Sequence, residues 1–321
     1  MAADKQGQMG DHGLSCRSCG GTELVDLGPC ARPVSADTGV EPGRLLRCRH
    51  CGLGQRHPIP DAEAIAAMYA DAPPDAMDYD YDANAAWSLA RRRLRARFDG
   101  QPDVAVLDIG CHTGSFLGGL PSAWRRHGIE SAQEPCRIAR ERQHVNLIGT
   151  RIEAIDAAWA GKFDAVTMFD VIEHLPDPGA GIAQAARLVK PGGALLISSG
   201  DLDTWTWRWL GSGHWYLSSP KHLSVISEPF LRFMADQHGL ELRGITSLPH
   251  LHGRAMARFS ESVRAIYWGL RQRGGAWRVP RRLLQSLPGL RKLRHMQSVP
   301  WTMMLKDHLL ADFVVIGINR K

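Results

Sequence analysis

The sequence predicts an α/β protein built on a parallel sheet, preceded by a metal-binding module and carrying a basic helical insert near its end. Three observations support this. Short aliphatic runs recur between helix-like stretches, at Val104–Ile109, Val145–Ile148, Phe163–Met168 and Ala194–Ser198, as strands buried on both faces require. The first run turns through Gly110 and Gly114 into a helical pattern at Ser115. Four cysteines form two Cys-x-x-Cys-Gly units, a pattern suited to a metal.

The 321 residues, 44% of them apolar, suffice for one large domain with an appendage or for two domains. Met1 to Gly13 is polar and lacks an apolar signal region. No stretch approaches the length of a membrane-spanning helix, so the expected location is the cytoplasm. The net charge of +6 is local in origin. Between Arg254 and Lys306 ten Arg and two Lys face one acid, Glu261, so that segment carries +11 and the remainder −5.

In chain order, Cys16 and Cys19 form the first pair, and Cys48 and Cys51 the second, each followed by glycine (Gly20, Gly52). Four thiolates in two such turns make a closed tetrahedral Zn²⁺ site, with no open position for catalysis. The 28 residues between the pairs exceed the usual zinc-ribbon spacing, so strands should fill them. Cys30 and His50 are spare ligands. Pro58, Pro60, Pro73 and Pro74 punctuate a linker in which Asp61–Ala70 reads as a short helix, with Asp61 as N-cap. Tyr79 and Tyr81 lie either over a bound ligand or in a solvated turn. A helix rich in Ala, Leu and Arg follows from Ala83 to Phe98.

The stretch Asp108-Ile-Gly110-Cys111-His112-Thr-Gly114 leaves a strand through a turn whose glycines let backbone approach a ligand. A dinucleotide fingerprint would need glycine where His112 and Ser115 stand, so that reading fails. Ala123–Ile129 forms the second strand. Glu130, about 20 residues past the turn, supplies the two acceptor oxygens a ribose diol needs; Glu134 is the competing position. The fourth strand leads into Phe169-Asp170-Val-Ile-Glu173-His174-Leu, and a Lys-Pro-Gly-Gly turn precedes the fifth.

Asp-x-Gly-x-x-x-Gly, an acid after strand two, Phe-Asp-x-x-Glu-His-Leu and Leu-x-Lys-Pro-Gly-Gly, in that order, resemble the small-molecule branch of class I S-adenosylmethionine (SAM) methyltransferases. Many members have a further glycine where His112 stands. With the paired cysteines and the Pro/Tyr linker, the chain resembles zinc-containing methyltransferases of sugar and secondary-metabolite pathways. No counterpart of the large C-terminal domain of the sugar C-methyltransferases is expected within these 321 residues. The resemblance implies a Rossmann-like seven-stranded sheet, with Glu241–Leu248 and Asp312–Asn319 as the closing strands. It implies a zinc-binding module over 1–60, a helical linker over 61–103 and a SAM-binding domain over 104–321. A basic helical insert would span about 251–307. The cofactor would meet Asp108, Gly110, Cys111, His112, Gly114, Glu130 and Asp170, with Glu153 where related enzymes contact adenine.

The acceptor expected is a small molecule. Asp201–Trp215 holds Trp205, Trp207, Trp209 and Trp215, either as a lid over a ring-shaped acceptor or as a helix packed on the core. A hydroxyl or carbon acid would need a base. His174 is the first candidate, with Glu173 beside it to orient it or raise its basicity; His222 is the second. The insert combines its arginines with Leu283, Leu284, Leu287, Leu290, Leu293, Trp268, Trp277 and Trp301. That composition suits peripheral contact with an anionic membrane, a cap on the active site or a dimer interface. Two other functions stay open. One is an RNA methyltransferase, disfavoured because Phe169-Asp-Val-Ile stands where base-methylating enzymes commonly carry Asn/Asp-Pro-Pro-aromatic. The other is a zinc-stapled binding scaffold that has lost catalysis.

Overall fold

The computed structural model describes residues 14–31, 42–60, 84–273, 275–287 and 290–316. The expected helix at Asp61–Ala70, Tyr79, Tyr81 and the end of the last strand through Asn319 lie outside these residues.

The strands are β1 Leu24–Pro29, β2 Arg44–Cys48, β3 Gly54–His57, β4 Ala105–Ile109, β5 Arg125–Ile129, β6 Asn146–Gly149, β7 Phe163–Phe169, β8 Val189–Gly200, β9 Ser224–Val225, β10 Leu240–Leu248 and β11 His308–Val315. The main sheet has seven strands in the order β10-β11-β8-β7-β4-β5-β6. Its middle strands run parallel, while β11 is antiparallel to both β8 and β10. This is the Rossmann-like class I methyltransferase sheet expected from the sequence.

Strand β4 shows why aliphatic runs form this sheet. Ala105, Leu107 and Ile109 face one core cluster and Val106 the other, all within 2% of full burial, so side chains alternate across a sheet covered on both sides. On the Val106 face lies α1 (Ala85–Arg97). Its Trp87, Ala90 and Leu94 follow helical spacing into the core, and Asn84 caps it by accepting from Trp87 N–H at 3.1 Å. Helices α2 (Ser115–Gly118), α3 (Gln133–Gln143), α4 (Pro178–Leu188), α5 (Trp205–Leu210) and α6 (Glu228–His238) follow in turn. The insert forms α7 (Ala255–Arg273) and α8 (Arg278–Ser286), between β10 and β11.

Two elements differ from the sequence reading. Pro191-Gly-Gly does not separate helix from strand. Strand β8 begins at Val189, and the Pro-Gly-Gly segment sits where the register against β7 shifts, the local widening glycine permits. The last strand begins at His308 and not at Asp312. His308 pairs with Gly200 and Leu248, so four residues between the expected insert and the expected strand extend the sheet.

The N-terminal module shares its packing with the sheet domain. Its four-stranded sheet runs β1-β2-β3-β9, and β9 comes from the segment after the tryptophans. Cys16, Cys48, Cys51 and Leu53 belong to the same apolar cluster as Leu107, Phe230 and Met234. Arg17 donates to Pro176 O at 2.9 Å and Leu223 O at 2.6 Å, and Ser227 Oγ donates to Gly52 O at 2.9 Å.

Candidate active site

At the carboxyl end of β4 the chain turns sharply. Gly110 and Gly114 have φ of +72° and +74°, the left-handed region glycine tolerates. A Cβ on Gly110 would lie 2.3 Å from the Val171 side chain, so the loop after β7 closes against this turn. His112 adopts φ +46°. Position 112 therefore makes a backbone demand that suits glycine, and histidine meets it at a cost on the order of 1 kcal/mol. Helix α2 is only one turn long, so the loop itself shapes this rim.

Glu130, at the end of β5, fastens the rim. One carboxylate oxygen accepts from His112 N–H at 2.9 Å, and the other from Ser131 and Ala132 N–H at 2.8 Å each. Beneath the turn Asp108 is 2% exposed and accepts from Thr167 Oγ1 at 2.6 Å. Burial pushes its carboxyl up to about 7. Cys111 is buried beside it, and burial raises its thiol. Glu153 stands on the surface, 3.4 Å from Arg151, while its neighbour Ile152 enters the core.

The loop after β7 holds the remaining acids and the first histidine. Asp170 has φ +54°, its N–H donates to Ser198 O at 3.0 Å, and its carboxyl is pushed up to about 7 by burial and by Glu173. Glu173 is buried, and both its oxygens are used, accepting from Tyr216 OH at 2.5 Å and Ser199 Oγ at 2.9 Å. Burial and the nearby Glu173 hold the Tyr216 phenol far above its ordinary value, so it stays a donor. Glu173 is thus built into the wall.

His174 and His222 stand together, their rings 4.9 Å apart. The Nδ1 of His174 lies 3.0 Å from Lys221 O, and that of His222 lies 2.6 Å from Tyr216 O. A carbonyl only accepts, so both rings carry a proton on Nδ1, and in the neutral ring the lone pair is on Nε2. Burial, and then His174, hold His222 well below the usual imidazole range. The loop bearing His222 is stapled by Arg56, a buried side chain on β3. Its guanidinium donates to the carbonyls of His222 at 3.0 Å, Leu217 at 2.7 Å, Ser219 at 3.0 Å, and Pro42. The sequence reading passed over Arg56, because a lone arginine among charged residues gives no signal of burial.

A second group was also missed. His308, at the start of β11, lies beside Asp170 and His250, and its Nδ1 is 2.8 Å from the buried Asp307. The Asp-His pair just before Leu309-Leu310 was the available signal. The tryptophans divide their roles. Trp207 is buried and stacks on His214 at 4.1 Å, Trp209 donates to Ala265 O in α7 at 3.1 Å, and Trp215 donates to Thr302 at 2.6 Å. Only Trp205, at 42% exposure, is largely open to solvent among the four. The segment ties the insert to the sheet domain.

In the N-terminal module the four sulfurs of Cys16, Cys19, Cys48 and Cys51 lie within 4.8 Å of one another, with Cys16–Cys51 and Cys19–Cys48 at 3.6 Å. A tetrahedron with metal–sulfur bonds of about 2.3 Å sets its sulfurs roughly 3.8 Å apart, so the four fit one zinc ion. Gly20 and Gly52 have φ of +72° and +85° and donate to Cys16 O and Cys48 O, forming matching turns. Cys30 lies apart, in the cluster with Leu45 and Trp207.

A family model described as a methyltransferase domain matches residues 79–244. Among curated relatives, a ubiquinone biosynthesis O-methyltransferase of Proteus mirabilis is 29% identical over 130 residues, covering 39% of this chain and 53% of the relative. An uncharacterized 37.1 kDa protein in transposon TN4556 of Streptomyces fradiae is 32% identical over 156 residues, 45% of each chain. The chain spans about half the length of these relatives. Among solved structures, a chain from the complex of the Haloferax volcanii Trm112 methyltransferase activator with a methyltransferase superposes with a TM-score of 0.51. It is 16% identical, and the match covers 81% of this chain and all of that one.

Proposed function

The chain belongs to the methyltransferase-domain family, and from that premise we propose that it transfers a methyl group from SAM to a small-molecule acceptor. A sugar, nucleotide-sugar or secondary-metabolite intermediate is the class intended. The observation that carries this is the convergence of the Gly110–Gly114 turn, Glu130 and Asp170 at the carboxyl ends of three adjacent parallel strands, where open α/β sheets bind their ligands.

In this reading Gly110, Cys111, His112 and Gly114 give the backbone rim of the cofactor site. The remaining lone pair of Glu130, on Oε2, takes a ribose hydroxyl. Asp108 and Asp170 place negative charge near a cationic ligand, and Glu153 borders the adenine end. When bound, SAM supplies a methyl group already activated by its sulfonium. The protein's part is to align the acceptor and remove its proton. His174 is the proposed base, accepting the proton at Nε2 while Lys221 O fixes its tautomer; His222 is the alternative. Glu173 orients this region through Tyr216 and Ser199 and does not itself take the proton. His174→Gln should lower turnover on the order of 100-fold or more while SAM binding is kept. Turnover near the wild-type rate, measured with methyl-labelled SAM and an acceptor found by screening, would remove His174 from that role.

The four cysteines are proposed to hold a structural Zn²⁺. The module around them would span 1–60, followed by a linker over 61–103 and the SAM-binding domain over 104–321. The insert is proposed to touch anionic lipid. Val279 and Leu283, one turn apart on α8, are each 64% exposed, and Trp277, Leu287, Met256 and Phe259 are exposed with them. Arg278 and Arg282 stand beside them, each worth about 1 kcal/mol near an anionic surface. No helix among the described residues is long and apolar enough to cross a membrane, so the contact would be peripheral. The protein should sediment with phosphatidylserine-containing vesicles and not with pure phosphatidylcholine ones, and Arg278→Ala/Arg282→Ala should weaken the effect. Equal sedimentation with both vesicles would contradict an electrostatic contact.

A further inference from the structure

We propose that Asp170, His250 and His308 form a site for a first-row divalent cation beside the methyl-transfer pocket, separate from the four-cysteine site. One ligand atom from each of the three residues lies within 4.8 Å of the others.

Asp307 determines which nitrogen His308 offers. It is fully buried; one oxygen faces His308 Nδ1 at 2.8 Å, and the other accepts from Thr302 Oγ1 at 2.6 Å. The carboxylate accepts from Nδ1–H, so in the neutral ring Nε2 carries the lone pair, directed away from Asp307. That Nε2 is buried and has no hydrogen-bond partner among the described residues, and neither has Asp170 Oδ1, which it faces at 3.9 Å. With the ring neutral and the carboxylate ionised, two acceptors face each other at a separation too long for a hydrogen bond. Leaving both unsatisfied is unfavourable, and a cation between them satisfies both. The other Asp170 oxygen lies 3.6 Å from His250 Nδ1. Metal–ligand bonds of about 2.0–2.2 Å place neighbouring ligands roughly 3–4 Å apart, the range of the two distances from Asp170.

Each ligand is also held in place. His308 is fixed in the antiparallel ladder opposite Gly200. Asp170 is kept at φ +54° with its N–H on Ser198 O, a strained conformation of the kind found at functional sites. A buried carboxylate on the far nitrogen of a ligating histidine is the usual arrangement behind a metal. Glu173, His174 and His222 are also close together. That trio offers less, because both Glu173 oxygens are already hydrogen-bonded. Two imidazoles and one carboxylate suit iron, manganese, cobalt, nickel or zinc more than magnesium or calcium. They leave coordination positions open for oxygen atoms of an acceptor.

The test is Co²⁺ titration of the full-length, zinc-loaded protein without SAM, read by visible absorption and by metal content after dialysis. The site predicts one Co²⁺ per chain with the weak bands of nitrogen and oxygen ligation. Uptake should be lost in His308→Ala and in His250→Ala, and Asp307→Asn should weaken it on the order of 10–100-fold. Folding of each variant is checked by its retained zinc and its melting curve; if His308→Ala does not fold, His250→Ala decides. No uptake by the wild-type protein, uptake unchanged in the variants, or only the intense thiolate bands of cobalt at the cysteines would overturn the proposal. The readout needs neither SAM nor turnover, so it stands apart from the methyl-transfer reading.

Discussion

Glu130→Ala should weaken SAM binding on the order of 100-fold. Three of its acceptor positions hold backbone N–H groups, so the carboxylate would make one charge-assisted hydrogen bond to the ribose, worth about 1.5–3 kcal/mol, and a loss near 3 kcal/mol corresponds to roughly that factor. The variant also removes the acceptors that hold His112, Ser131 and Ala132 N–H, which frees a turn kept at positive φ. Glu130→Gln separates these effects poorly, because one end of the amide can only donate and must face either the backbone or the ribose. It should fall close to the alanine variant. Titration of both variants with S-adenosylhomocysteine, alongside melting curves, checks this. A change below about threefold in Glu130→Ala would assign the residue to the loop alone.

Removing the proposed zinc ligands should destabilise the whole protein. Cys51→Ala, or chelation, leaves a gap at a position 1% exposed in the principal core cluster. Structural zinc contributes apparent binding energies of about 10–16 kcal/mol in small modules, comparable with the whole margin of about 5–15 kcal/mol of most domains. The contacts from Arg17 to Pro176 and Leu223, and from Ser227 to Gly52, would lose their anchor. So would Arg56 on β3, and with it the loop of His222. Zinc content followed together with thermal unfolding should show one transition, shifted far down. An independent appendage would instead melt apart and leave the main transition in place.

What was legible in the sequence followed from burial and backbone geometry. Strands covered on both faces must be aliphatic, so β4, β7 and the core of β8 stood out. The turn at Gly110 and Gly114 needs positive φ, so its glycines marked it, and paired Cys-x-x-Cys-Gly units have few physical uses besides metal binding. What was not legible depends on contacts between distant segments. Strand β9 is two residues long and gains its place only by pairing with β3. Arg56 is buried because four carbonyls from two other loops converge on it, which no local pattern announces. His308 falls between the expected insert and the expected strand, yet pairing with β8 and β10 carries it into the sheet. The tryptophans showed that something large packs around 205–215 but not what it packs against.

Calorimetric titration of the zinc-loaded protein with SAM and with S-adenosylhomocysteine, repeated from pH 6 to 8, addresses the methyltransferase reading most directly. One site per chain is predicted for each ligand. Asp108 and Asp170 are held up to about 7, so near pH 6 they are mostly neutral. As pH rises through 7 they ionise, and a ligand carrying the sulfonium charge gains more than one without it. SAM affinity should rise several-fold across this range, and that of S-adenosylhomocysteine should rise less. Absence of binding by either ligand to folded, zinc-loaded protein would contradict the assignment and leave a zinc-stapled scaffold with the fold of a methyltransferase.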